Sequence, residues 1–358
     1  MTNEKTKIAM EADLILENLT HTLLYEGYSL YPYYRSAVKN QKPIPFGVIF
    51  PKDYNAYHEH SHSKMQSQSI ITGDNDLTVS VTVRFLHLRK TELFQKANNE
   101  KDNEDYIPVS NLDINGKFYN SGWQTVERKI TTGDIGLTQL AKGGISIPIE
   151  FDNMNEGELI LNEKNVVVAK SVSSISEITG SILISAESII ESTDSFRITV
   201  VVTNTTGLEN ANTISRDEAI MQSFLSTHII LQTLQGEFIS QQDTPVKWTT
   251  ATAGCTNINT WPIVIDKSNT TLLSSPIILY DHPEINPQSS GDLFDSTEIE
   301  EALLLHVNLL TEEDRNRIGT EDEKMNAMLK KVNGLTPEDL HQYHSMLKEN
   351  KASQFNNE

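Results

Sequence analysis

Between residues 77 and 88 apolar and polar side chains alternate. Leu77, Val79, Val81, Val83 and Phe85 fall on one face of an extended chain, and Thr78, Ser80, Thr82 and Arg84 on the other. A period of two marks a strand with one buried face. Further strand-like runs occupy residues 46–50, 66–71, 125–131, 144–151, 165–176, 180–186 and 196–203, with Gly-Asp, Asn-Glu-Gly and Ser-Thr-Asp turn signals between them. Strands this closely spaced, without intervening helices, predict antiparallel sheets packed as a sandwich rather than a parallel α/β fold.

Helical spacing takes over at the two ends. Ile8, Ala12, Ile15, Leu16, Leu19, Leu23 and Leu24 predict a helix over residues 7–26, stopped at Glu26-Gly27. Ser215-Arg-Asp-Glu218 is a capping box opening a short helix to about residue 223. Residues 228–234 fit a strand or a continuation of that helix, and propensity does not choose between them. Residues 95–120 are polar and Asn-rich, a loop or an insertion. Residues 235–260 are loop-rich, and strands are expected at 262–265 and 276–280. From Asp295 onward Asp295/Glu298, Thr320/Glu323 and Thr336-Pro337-Glu338-Asp339 are helix starts. The expected architecture is mainly β (α+β): an antiparallel, sandwich-like core over residues 1–294 with an N-terminal helix, then an acidic helical region over 295–358. The core is either one unit or two packed β modules, 1–155 and 156–294.

Composition narrows the function classes. With 358 residues, 37% hydrophobic and 22% charged, the chain is globular and able to bury a sizeable core. Cys255 is the lone cysteine, which removes intramolecular disulfides and any all-thiolate zinc cage within one chain. The first residues carry Glu4, Glu11, Asp13 and Glu17 where a secretory leader is cationic and apolar, and no apolar run reaches spanning length. A cytoplasmic protein without membrane insertion is expected. A net charge of −20 argues against a nucleic-acid ligand. Residues 281–358 hold seventeen acidic against seven basic residues. That region is either a solvated acidic tail or a surface that steers toward a basic partner. Glycosylation-type sequons begin at Asn18, Asn204 and Asn269 and are attributed to chance.

Four stretches carry candidate chemistry. The connection after residue 280 gathers Asp281, His282, Glu284, Asp292 and Asp295 among Pro283 and Pro287. It reads as a hard-cation or carboxylate–imidazole site, as a partner surface, or as turn bonding with Asp295 capping a helix. His58, His60 and His62 would share one face of a strand, the arrangement of a three-imidazole metal site. The surrounding Tyr54-Asn-Ala-Tyr-His-Glu-His sequence also reads as a surface loop. Cys255, near Trp261, is a buried filler, a site-lining thiol or a nucleophile; no activating residue is visible beside it in sequence. Tyr25, Tyr28, Tyr31, Tyr33, Tyr34 and Arg35 have the composition of an interface hot spot, or clamp the first helix onto the sheets. Walker, dinucleotide, G-x-S-x-G and H-E-x-x-H motifs are all missing, which disfavours an ordinary nucleotide-binding enzyme or hydrolase.

Three blocks carry a family resemblance. They are Leu24-Tyr-Glu-Gly-Tyr-Ser-Leu-Tyr-Pro-Tyr-Tyr-Arg-Ser-Ala-Val-Lys-Asn40 with Phe46-Gly-Val-Ile-Phe-Pro51, then Val79-Ser-Val-Thr-Val-Arg-Phe-Leu86, then Thr260-Trp-Pro-Ile with residues 275–300. Together, covering about a third of the chain, they resemble an uncharacterised bacterial family encoded among genes for nickel–iron hydrogenases and their maturation factors. The resemblance implies a context, hydrogenase assembly, and no reaction. It places a functional surface at Arg35, Asn40, Asp281, His282, Pro283, Glu284 and Asp292. The expectation is a non-catalytic accessory protein whose partner is a hydrogenase subunit or maturation factor. Its recognition patch is built from Tyr31, Tyr34, Arg35, Asn40 and the 281–295 connection, with Cys255 and Trp261 beside it. No cofactor is required. The rival readings are a metal-dependent enzyme or metal carrier using His282 with Asp281, Glu284, Asp292 or Cys255, and a structural subunit of a larger complex.

Overall fold

The alternating run at residues 77–88 opens the longest strand among the described residues, β2 (Thr78–Lys96), and its apolar face is buried. The computed structural model describes residues 15–21, 23–24, 46–73, 76–97, 105–189 and 194–283. Residues 15–21 and 23–24 form helix α1. Helix α2 (Lys52–Asn55) and β1 (Lys64–Gly73) precede β2. Then come β3 (Tyr106–Val109), β4 (Asn111–Ile114), β5 (Lys117–Asn120), β6 (Gly122–Thr131), β7 (Ile135–Gly136) and α3 (Leu137–Lys142). Strands β8 (Ile145–Phe151), β9 (Met154–Leu161), β10 (Val167–Ile175), β11 (Ile178–Ser188) and β12 (Ser195–Asn204) follow without an intervening helix. The remainder is α4 (Arg216–Ile220), β13 (Leu225–Gln232), β14 (Gly236–Ile239), α5 (Thr249–Ala253), β15 (Trp261–Val264) and β16 (Thr271–Ser275).

One sheet has the order β14-β1-β12-β11-β8. The other runs β15-β16-β13-β2-β10-β9, with β3, β6 and β7 also paired to β2. Pairings in both sheets are antiparallel, as expected. Strand β2 is long enough to change neighbours. One side meets β13 at Ser80–Leu86 and β10 at Arg89–Gln95, while the other meets β6 at Thr82–Thr91 and β3 at Leu93–Lys96.

Between the sheets lies one apolar core. Val79, Val81, Val83 and Phe85 of β2, with Ile229, Leu231 and Leu272, meet Met65, Ile71, Ile182, Ile184, Ile198, Val200 and Val202. Each such side chain contributes roughly 1.5–3 kcal/mol on full burial. Phe85 stacks on Phe224 with ring centroids 4.7 Å apart. On the outer face α1 lays Leu16, Leu19 and Leu23 over Ile230, Ile263 and Leu273. Strand β13 is thus covered on both faces. That is why its central Ile229-Ile230-Leu231 is apolar on both faces, and periodicity does not distinguish helix from strand there.

Several expectations change. Residues 95–120 are no simple loop: β3 extends the sheet and β4–β5 form a hairpin. At 46–50 only Ile49 bridges, to Phe224. The strand expected at 276–280 lies earlier, at β16, because Pro276 has no N–H to continue the ladder. The polar Ser274 and Ser275 fit inside because Ser274 Oγ bonds Ser67 Oγ at 2.7 Å and Ser275 Oγ bonds His228 Nε2 at 3.3 Å. Both sheets draw strands from either side of residue 155, so the alternative of two modules divided there gives way to one interleaved sandwich. The Ser215/Glu218 capping box is present on α4. Among the described residues no helix is long and apolar enough to cross a membrane. The aromatic segment 25–45 and the helical starts after Asp295 lie outside the described residues.

Candidate functional site

The inner face of β2 changes character along its length. After Val79, Val81, Val83 and Phe85 come His87, Arg89 and Thr91, and only then Leu93. The four apolar residues face the five-stranded sheet, and Leu93 packs with Ile160 and Ala169 against the β4–β5 hairpin. The polar stretch between floors a groove of about 370 Å³, lined by Arg89, Thr91, Tyr119, Glu158, Ser171 and Ser173 among others. Thr91 and Ser173 hydroxyls are 2.9 Å apart, and Arg89 Nη2 donates to Glu156 Oε2 at 3.1 Å. Charge in this patch is therefore partly balanced in place.

The groove opens toward β9, which among the described residues pairs with β10 alone. Register places Met154, Glu156, Glu158 and Ile160 on the groove face, opposite Ile175, Ser173, Ser171 and Ala169. Leu159 and Leu161 fall on the other face. Leu159 is 59% exposed, Val166 in the following turn 53%, Leu161 45% and Met154 37%. Edge strands normally carry charge, proline or a cover at such positions. Nothing in the composition of residues 152–163 announced this strand. Its polar Asn-Glu-Gly-Glu sequence reads as a turn, and only the Leu-Ile-Leu at its end hints at extension.

The expected site residues are scattered. Asp281 holds together three segments: it accepts from the Ser240 hydroxyl and from Val264 N at 2.9 Å, while its own N–H donates to Gln242 Oε1 at 3.3 Å. His282 sits in the left-handed region at φ 53° and donates its N–H to Val264 O at 2.8 Å. The turn-bonding reading of these two residues accounts for their geometry. His58 stacks on Tyr54 with centroids 3.9 Å apart, whereas His60, in a turn, and His62, in the irregular segment before β1, are exposed rather than aligned on a strand. Among the described residues no group of three or more His, Cys, Asp or Glu side chains converges to hold a metal ion. Trp261 opens β15 and is half-exposed. Tyr31, Tyr34, Arg35, Asn40, Glu284, Asp292 and Asp295 lie outside the described residues.

Cys255 follows α5, in a loop held on β1 by amides: Gln68 N donates to Asn257 Oδ1 and Thr256 N to Gln68 Oε1, each at 2.8 Å. Burial pushes its thiol above the usual range, and the neighbouring Arg197 offsets this only in part. That environment is the opposite of an activated nucleophile.

A buried polar layer beneath α1 had no clear sequence signal. Arg84, placed on a polar and therefore solvent-facing side by the alternation, is buried against Glu17 and Glu127. Its cross-strand neighbour is His228. His228 Nδ1 lies 2.8 Å from Ser226 O, which can only accept, so the proton sits on Nδ1 and Nε2 accepts from Ser275. Burial, and secondarily the Arg84 charge, lower its pKa to about 4. The sequon at Asn204 is likewise structural: its amide is buried and donates to Ile49 O and Gln222 O. No protein-family model matches this chain, and no curated protein sequence matches it.

Proposed function

We propose that this chain is a non-catalytic accessory protein that binds another protein through the edge formed by β9, acting in the assembly or maturation of a nickel–iron hydrogenase in the cytoplasm. The observation that carries the binding role is the proline-free, eight-residue edge strand β9 with Leu159 and Leu161 exposed on it. Exposed apolar side chains on an open edge favour strand-to-strand docking. The hydrogenase context is supported by the block resemblance at residues 24–51, 79–86 and 260–300 alone.

Affinity recovery of the tagged chain from its native host tests this reading. A hydrogenase subunit or maturation factor is expected with the wild-type chain and lost with Leu159→Asp. Recovery of no hydrogenase component, or recovery indifferent to Leu159→Asp, would overturn it.

A further inference from the structure

Resting on that reading, we infer that β9 takes an extended segment of a partner protein in which basic and apolar residues alternate, added to the sheet as a further strand. Other edges formed by the described residues are closed or blunted. Strand β8 contains Pro148, which removes a donor from its ladder. On β14, Phe238 N donates to Asn269 O. On β15, Val264 is held through both its N–H and its carbonyl by Asp281 and His282. Strand β6 carries Glu127, Arg128 and Lys129 and no exposed large apolar side chain. Among the described strands β9 alone combines length, freedom from proline and exposed leucines.

The two faces of β9 specify what is added. Glu156 and Glu158 are two residues apart on the groove face, about 7 Å along the strand. Arg89 pairs with Glu156, and among the described residues no ion pair holds Glu158. Lys170, the nearby cation of β10, lies on the opposite face over the rings of Tyr106 and Phe94. Basic side chains of an added strand, projecting at the same two-residue period, meet these carboxylates beside the open groove. On the other face Gly157 leaves open space next to Leu159: a Cβ there would meet nothing closer than Ser171 O at 4.0 Å. Apolar side chains fit that notch.

A second copy of this chain does not fit. Antiparallel pairing of β9 with itself about Gly157 would set the Glu156 of each copy against the Glu158 of the other, and like charges directly opposite destabilise a ladder. Each chain also brings a net charge of −20. Main-chain bonding supplies affinity in strand addition, and alternate side chains supply specificity.

Short labelled peptides alternating lysine with valine, serine with valine, and glutamate with valine, titrated against the full chain, test the inference. The lysine–valine peptide is expected to bind about tenfold or more tightly than the other two, and Glu158→Lys to weaken it about tenfold. Hydrogen exchange should slow at β9 amides on binding and stay unchanged at β8 and β14. Equal binding of the glutamate–valine peptide, protection at another edge, or self-association abolished by Leu159→Asp would overturn the inference. If the lysine–valine peptide fails while Leu159→Asp still abolishes recovery of a hydrogenase component, the segment chemistry falls and the accessory role stands. If it binds at β9 while no hydrogenase component is recovered, the accessory role falls and the edge chemistry stands.

Discussion

Arg84 Nη1 lies 2.8 Å from Glu17 Oε2, so a guanidinium 2% exposed on β2 reaches out to the first helix. Its Nε and Nη2 both reach Glu127 Oε1 at 2.7 Å. The two carboxylates differ in surroundings: the Glu17 side chain is 56% exposed and that of Glu127 26%. Water screens the first pair more, which decides their relative weight. Glu17→Gln should cost no more than about 1 kcal/mol. Glu127→Gln removes the better-shielded counter-charge of a buried cation and should cost about 3 kcal/mol. Urea midpoints of the two variants check the order, and equal costs would contradict it.

Acid stability follows from the two buried histidines. Burial, with the charge of Arg128, lowers the pKa of His87 to about 4; burial, with Arg84, does the same for His228. Both pKa values are depressed in the fold, so the unfolded chain binds these protons first. Stability therefore falls as pH drops from about 6.5 toward about 4, by up to about 3 kcal/mol for each histidine. Above pH 6.5 neither contributes a pH dependence. Melting curves between pH 7 and pH 4 should show a steeper loss for the wild type than for His228→Gln. Identical slopes would mean that His228 takes up its proton over the same pH range in the native and unfolded chains, so that burial does not depress it.

The sandwich was legible where one face alone is buried. Leu77 to Phe85 alternate because one sheet face packs on the other, and Ser215 with Glu218 announces α4 because capping chemistry is local. Legibility fails where long-range packing decides. Arg84 follows the polar period of β2, yet α1 covers it, so a position that reads as solvent-facing becomes a buried ion-pair centre. The residues of β9 carry little strand propensity and become a strand through their pairing with β10. For the site, the sequence marks Asp281 as a chemical group, whereas its contacts with Ser240, Val264 and Gln242 are set by the meeting of three separate segments of the chain.

Gly180 marks a close approach that no side chain fits. A Cβ there would lie 2.4 Å from Thr203 O and 2.7 Å from Phe224 Cζ. The first obstacle is backbone of the neighbouring strand β12, and the second is the ring stacked on Phe85. Neither yields without disturbing the core, so Gly180→Ala should destabilise by about 2 kcal/mol. Gly133, where a Cβ meets nothing within 4 Å, provides the contrast, and Gly133→Ala should be close to neutral. Denaturant titration of both separates overpacking from a general intolerance of alanine.

Cys255 offers a test of the nucleophile reading. Burial raises its pKa from 9.0, Arg197 lowers it in part, and Glu187, ion-paired with Arg197, raises it again. The thiolate is therefore scarce near neutral pH, and the attacking species in alkylation is the thiolate. Iodoacetamide labelling of the native chain, followed by mass spectrometry across a pH series, should be slower than that of the unfolded chain, with its midpoint above pH 9. Arg197→Met removes the one neighbour that favours the anion, so the midpoint should move higher still. Rapid labelling at pH 7 with a midpoint below the ordinary thiol value would instead mean that Arg197 outweighs burial. Cys255 would then regain the chemistry of a reactive thiol.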